Sequence, residues 1–346
     1  MTALTAPARP DEDAPLRPLP WRRMAWVTWR QHRTALVGAV ALLGVLAVWL
    51  WWAGTRVHRD YAAAVACRPV GSAACQDLVT TFNGTWQLMV NPAVLLLVVP
   101  ALTGAFAGAP VLARELETGT FRFAWTQGFD RWRWALAKLA ALAVVLAGAG
   151  AAFGALVSWC YQPFSHSNQA LALGLYGKGG LDGNTQFALV FGLRAVAFPA
   201  WTLAAFAVGV LAGMLIRRVV PAIVTTLAVY TGLAIAAAAF LREHYLTPLV
   251  TSADVHGTAW IINQWWTKDG KFAFGGRIPD TIWNQFCPPG PVDAAKCLAP
   301  HGYTQWTSYQ PDSRFWTFQW IEGGWLLALS VLLIAAAIWL VRRRAA

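Results

Sequence analysis

Charge is what this sequence has least of. Only 12% of its 346 residues are charged, roughly half the share found in an ordinary soluble domain. Hydrophobic residues make up 57%, and the mean hydropathy is +0.46. Such a composition argues against a water-soluble fold. Carboxylates and lysines are almost missing from the apolar runs, which argues against an ion or proton relay, because relays place ionisable groups at membrane depth. His32, His58, His166, His244, His256 and His301 are scattered, and neither His-Glu-x-x-His nor Cys-x-x-Cys occurs. Those absences leave a metal site without support. There is no Gly-x-Ser-x-Gly elbow either. The Gly/Lys-rich patch GLYGKGGLDG, from Gly174, lacks the spacing of a phosphate-cradling loop.

What the chain does have is long apolar runs. Six of them, at 35–54, 92–113, 135–159, 196–216, 220–240 and 324–341, approach the roughly 20 residues that a helix needs to cross about 30 Å of hydrocarbon. The first is preceded by a Pro-rich acidic tail and a basic stretch, unlike a cleavable leader. The expected fold is an all-α integral membrane protein with six transmembrane helices. Residues 1–20 read as a disordered cytoplasmic tail. The Trp/Arg-rich segment 21–34 reads as an interfacial helix or as an extension of the first span. Residues 241–323 form a large extracellular loop, or cap, between spans five and six.

The net charge of +11 is distributed in a way that orients the chain. Arg22, Arg23, Arg30 and Arg33 precede the first span, and Arg114, Arg122, Arg131 and Arg133 fill the segment between the second and third. Arg217 and Arg218 separate the fourth from the fifth, and Arg342, Arg343 and Arg344 follow the sixth. Basic residues concentrate on cytoplasmic loops, so both termini are expected in the cytoplasm of a multi-pass plasma-membrane protein. Nucleic acid is not an expected partner. Cys67, Cys75, Cys287, Cys297 and Cys160 all then fall on the outer side. In that oxidising compartment Cys67–Cys75 and Cys287–Cys297 are expected to pair, leaving Cys160 single.

Gly-x-x-x-Gly spacings at Gly104/Gly108, Gly150/Gly154 and Gly209/Gly213 predict close helix packing, within the bundle rather than between subunits. Pro92, Pro100 and Pro110 should bend the second span. Arg194 either contacts substrate or snorkels to the outer interface. The cap holds Trp260, Trp265, Trp266, Trp283 and Trp306, with Trp316 and Trp320 beside the last span. These form a small core, an interfacial belt, or a surface for sugar or lipid.

Between spans two and three lies ARELETGTFRFAWTQGFDRWRW, residues 113–134. Gly119 and Thr120 break the second span, and Phe121, Phe123 and Trp125 give a short transverse helix an apolar side. Gly128 ends that helix, and Asp130 stands where a cap for the third span belongs. A plain connection needs only about 2–8 residues, so this hinge presents a surface for something to hold. The run Glu115-x-Glu117-x-Gly119-Thr120, followed by Thr126, Arg131, Trp132 and Lys138, resembles the first cytoplasmic loop of type-2 ABC exporter permeases, most closely the single-chain permeases of actinobacteria. The resemblance extends over the whole chain.

That resemblance implies a permease subunit that binds no cofactor and performs no catalysis. A separate ABC ATPase subunit would carry ATP and Mg, and a second permease copy or paralogue would complete the path across the bilayer. Glu115, Glu117, Gly119, Thr120, Phe121, Thr126, Gln127 and Arg131 would form the ATPase-coupling surface. The nearly uncharged spans suit a hydrophobic or amphipathic substrate such as a drug or lipid. Two other readings stand beside this one. The first is a polytopic enzyme acting on lipid-linked substrate, with Glu322, Asp254 and His256 converging. The second is a non-transporting ABC-type sensor or immunity subunit.

Overall fold

The computed structural model describes residues 21–69, 72–119, 131–171, 187, 190–255, 259–287 and 293–343. The tail over 1–20, and Thr120, Phe121, Thr126, Gln127 and His256, lie outside the described residues.

Helix α1 (Trp21–Ala66) is continuous over 46 residues. No proline interrupts it, so no backbone donor is missing and no neighbour is forced out of the helical region. The interfacial segment at 21–34 is therefore not a separate element. After a short turn α2 (Ala73–Leu96) returns along α1, and the Cys67–Cys75 disulfide closes the turn with Cα atoms 5.6 Å apart. Much of the stretch expected to be an outer loop is thus a helical hairpin.

The second apolar run is segmented rather than merely bent. It stops after Leu96 and resumes as α3 (Val99–Thr103), a π-helical turn (Gly104–Gly108) and α4 (Ala109–Thr118). Pro100 and Pro110 sit in the first turns of α3 and α4, where a missing N–H costs least. Next come α5 (Arg131–Leu171), α6 (Ala197–Ile216) and α7 (Val219–Ala236), the last continued by π and 3₁₀ turns to His244. Among the described residues four helical stretches are long and apolar enough to cross a membrane: Trp132–Ser165, Ala197–Ile216, Val219–His244 and Asp312–Arg343.

Helix α6 is the axis of the bundle. It is apolar on all sides and mostly buried, as a helix surrounded by other helices must be. Segments α4, α5, α7 and the last helix all pack against it. Glycine makes the closest of these contacts possible. A Cβ on Gly104 would stand 2.5 Å from the Ala205 carbonyl oxygen, and one on Gly108 2.6 Å from that of Phe206. Added to Gly209 or Gly213, it would strike the carbonyl oxygens of Gly104 or Ala109. Gly150 and Gly154 similarly abut Pro199 and Ala195. All three spacings therefore serve helix packing within one chain.

The all-α expectation describes the bundle but not the cap. There β1 (Leu249–Thr251), β2 (Trp260–Lys268), β3 (Lys271–Gly275) and β4 (Tyr303–Gln310) form an antiparallel sheet in the order β1-β4-β2-β3. Strand β2, WIINQWWTK, is rich in β-branched and aromatic residues. It turns into β3 through Asp269-Gly270, both at positive φ, as a two-residue hairpin turn requires. Two short helices, α8 (Asp280–Phe286) and α9 (Ala294–Leu298), are joined by the Cys287–Cys297 disulfide. They cover one sheet face and close a small core around Trp266, Leu298 and Tyr303. The Asp293 carboxylate caps α9 by accepting the Ala295 N–H at 3.0 Å. Helix α10 (Phe315–Arg343) then leads from the cap back through the bundle.

Candidate functional site

Polar side chains gather at the two ends of α6, about 30 Å apart by helix length. The hinge end comes first. Gly119 ends α4 in the left-handed region, φ +70°, a conformation that costs a Cβ-bearing residue and so fixes where the helix stops. One turn earlier, the Lys138 ammonium on α5 donates to Glu115 Oε1 at 2.6 Å and reaches the Val111 carbonyl at 3.4 Å. Lys138 is 4% exposed. Although it stands in the first turns of a long apolar helix, it is buried against α4. Its ammonium also lies 5.2 Å from the centre of the Trp134 ring, a favourable cation–π contact.

Glu117 does something different. Its Oε2 accepts the Val219 backbone N–H at 3.0 Å, so a carboxylate from α4 satisfies and charge-matches the start of α7. The chain reaches that point by a tight reversal, with Arg217 left-handed at φ 60° and its N–H bonded to the Gly213 carbonyl. Two acidic residues two positions apart thus tie the root of the hinge to different helices, Glu115 to α5 and Glu117 to α7. Arg131 begins α5 on the far side of the hinge. Thr120, Phe121, Thr126 and Gln127 fall outside the described residues, so of the expected coupling set only Glu115, Glu117, Gly119 and Arg131 are located.

The cap end holds a buried ionic cluster that sequence reasoning missed as a unit. Glu322 on α10 is fully buried. The Arg242 guanidinium grips it bidentately, Nε to Oε2 and Nη2 to Oε1, both at 2.8 Å. Trp201 Nε1 on α6 donates to Oε1 at 2.7 Å and the Tyr245 hydroxyl to Oε2 at 3.1 Å. Tyr245 in turn accepts from Trp325 Nε1 at 2.9 Å, and Arg242 Nη1 donates to the Phe187 carbonyl. Burial and the adjacent Glu322 charge push the Tyr245 hydroxyl pKa above its ordinary value, so it serves as a donor throughout the physiological range. One turn before Glu322, Gln319 accepts the Ala197 N–H and donates to the Phe191 carbonyl. The cluster fastens α6, the end of the fifth span and α10 together. The available signal in the sequence was a carboxylate, Glu322, two residues before the last apolar run.

Of the residues considered for an enzyme, the two that are described, Glu322 and Asp254, do not share a site. Glu322 is consumed by its four hydrogen bonds inside the bundle. Asp254 lines a polar cleft of about 360 Å³ in the cap, with Asp293, Gln264, Tyr303 and Gln305. His256 lies outside the described residues.

With this geometry in view, the comparison with known families is informative. The profile of the ABC-2 membrane transporter related family matches residues 40–242, more than half of the chain. The chain belongs to that family. It is therefore an integral membrane protein of the permease type found in ABC transporters, a family of membrane transport components that are generally not catalytic. The match spans the hinge root and ends at Arg242, before the cap and α10. No curated protein and no solved structure matches the chain.

Proposed function

We propose that this chain is the membrane-spanning subunit of an ATP-driven exporter. A separate ATPase, holding ATP and Mg, grips the hinge over 114–134, and a second permease copy or paralogue completes the path. The chain crosses a bacterial plasma membrane six times with both termini in the cytoplasm, and its cargo is hydrophobic or amphipathic. One observation carries this reading: the root of the hinge is tied to two different helices through Glu115–Lys138 and Glu117–Val219. A displacement of the hinge would be delivered directly to α5 and α7, both of which pack on the central α6. A solvated connecting loop has no use for such fastening. The Cys67–Cys75 and Cys287–Cys297 bridges stiffen the opposite side, so that motion driven from the hinge would be resisted there and converted into opening between helices.

The reading is tested by placing a cysteine at Thr120 or Gln127 and assaying crosslinking to the ATPase co-expressed in the same membrane. Nucleotide-sensitive crosslinks at either position are expected. Absence at both, with both proteins folded, would refute the coupling role.

A further inference from the structure

We propose that Arg194 binds the anionic phosphate headgroup of a membrane glycerophospholipid. The inference goes beyond the transport reading and does not depend on it.

Two arginines lie buried at the cap end of the bundle, and their surroundings differ. Arg242 has a carboxylate partner in Glu322. Arg194 is 7% exposed, and its Nε and Nη1 have no hydrogen-bond partner among the described residues. Its guanidinium carbon lies 4.5 Å from the centre of the Phe315 ring. Among the described residues its notable electrostatic neighbour is the Tyr161 hydroxyl, and no carboxylate is close enough to act on it. Glu322 has no capacity left to serve it. Burial pulls the Arg194 pKa down to about 10, which still leaves it a cation at neutral pH. A buried cation without a counter-charge is a large penalty, and an oxyanion removes it with charge-assisted hydrogen bonds matched to the guanidinium fork.

The backbone that carries the side chain is also fixed. The Arg194 N–H bonds the Phe191 carbonyl at 3.3 Å. Next to it, the Ala195 N–H is pinned by Ser158 Oγ at 2.9 Å and the Gly154 carbonyl at 3.2 Å. Ala195 adopts φ 43°, a left-handed conformation unusual for alanine that persists only when surroundings impose it. The height in the membrane fits a headgroup. Phe315 opens α10, and Trp316 and Trp320 on the same first turns are 56% and 65% exposed, as residues of an interfacial aromatic belt are. Below them, exposed Leu327, Val331 and Leu332 continue an apolar surface along α10 for acyl chains.

The test uses the purified full-length chain, without ATPase, so that failure here and failure of the transport reading remain distinct. Phosphatidylglycerol, phosphatidylcholine and inorganic phosphate are titrated against wild type, Arg194→Gln and Arg194→Lys, reading lipid retention by native mass spectrometry and thermal unfolding. Phosphatidylglycerol should bind wild type and raise its unfolding temperature. Arg194→Gln should weaken that binding about tenfold or more, and Arg194→Lys should restore part of it. In phosphatidylcholine alone, Arg194→Gln should be as stable as wild type or more so. Equal phosphatidylglycerol binding by Arg194→Gln would overturn the proposal. Displacement of the lipid by millimolar inorganic phosphate would reassign the site to a free anion. Marked destabilisation of Arg194→Gln in phosphatidylcholine would show a partner within the chain and overturn it as well.

Discussion

The Arg242–Glu322 pair supports a quantitative prediction. Its carboxylate is fully buried, the arginine side chain is 5% exposed, and four donors converge on the two oxygens at 2.7–3.1 Å. Replacing Arg242 by Met leaves an anion in the bundle with only Trp201 and Tyr245 to solvate it. Replacing Glu322 by Gln presents an NH₂ to an arginine nitrogen and strands the guanidinium charge. Removing one member of a buried pair costs about 3–5 kcal/mol. At about 2 °C per kcal/mol for a chain of this size, that is a fall of roughly 6–10 °C in unfolding temperature. The double variant Arg242→Met/Glu322→Gln removes both charges together, and its loss should be smaller than the sum of the single losses by about 1–3 kcal/mol. The assay is thermal unfolding in detergent, followed by tryptophan fluorescence and by recovery of monodisperse protein. Single variants within about 1 °C of wild type, or strict additivity, would refute the view that this pair fastens α10 and the helical stretch continuing α7 to α6.

Three further outcomes are expected. Lys138→Met and Glu115→Gln should each destabilise by about 1–3 kcal/mol, less than the inner pair because Glu115 is 20% exposed, and their double variant should recover part of this in the same unfolding assay. Gly209→Ala should disrupt folding, since its Cβ would meet the Gly104 carbonyl. Gly232→Ala, with nothing within 4 Å, should stabilise by up to about 1 kcal/mol through helix propensity; comparison of folded yield and unfolding temperature decides it. Replacing Cys287 and Cys297 by Ser should cost about 2–3 kcal/mol for a loop of this length and lower the unfolding temperature without changing hinge crosslinking.

The helix end at the root of the hinge was legible before any coordinates, because its signal is local. Gly119 marks a helix end wherever it occurs, and an acidic pair followed by a broken helix stands out between apolar runs. The partners were not legible. Glu115 meets Lys138 across 23 residues and Glu117 meets Val219 across 102, and nothing in local spacing distinguishes these carboxylates from solvated orientation charges. The cap was misread for a different reason. Its edge strands have only three and five residues, and a bulged register in β2 blurs the alternation that marks a half-buried strand, so a dense group of tryptophans stood out where the sheet did not. Arg194 was expected either to contact substrate or to snorkel to the interface; it is instead buried beside Phe315, on a turn pinned by Ser158 and Gly154.

Hydropathy, the position of arginines and the spacing of glycines are properties of consecutive residues, and they alone determined that this is a helical membrane protein. Which helix becomes the axis, which carboxylate neutralises which cation, and which cation is left over depend on contacts between segments up to 128 residues apart. Such contacts cost chain entropy to close and leave no periodic mark in the sequence. Tertiary structure therefore decided that α6 is the centre, that Glu322 belongs to Arg242, and that Arg194 stands without a carboxylate among the described residues.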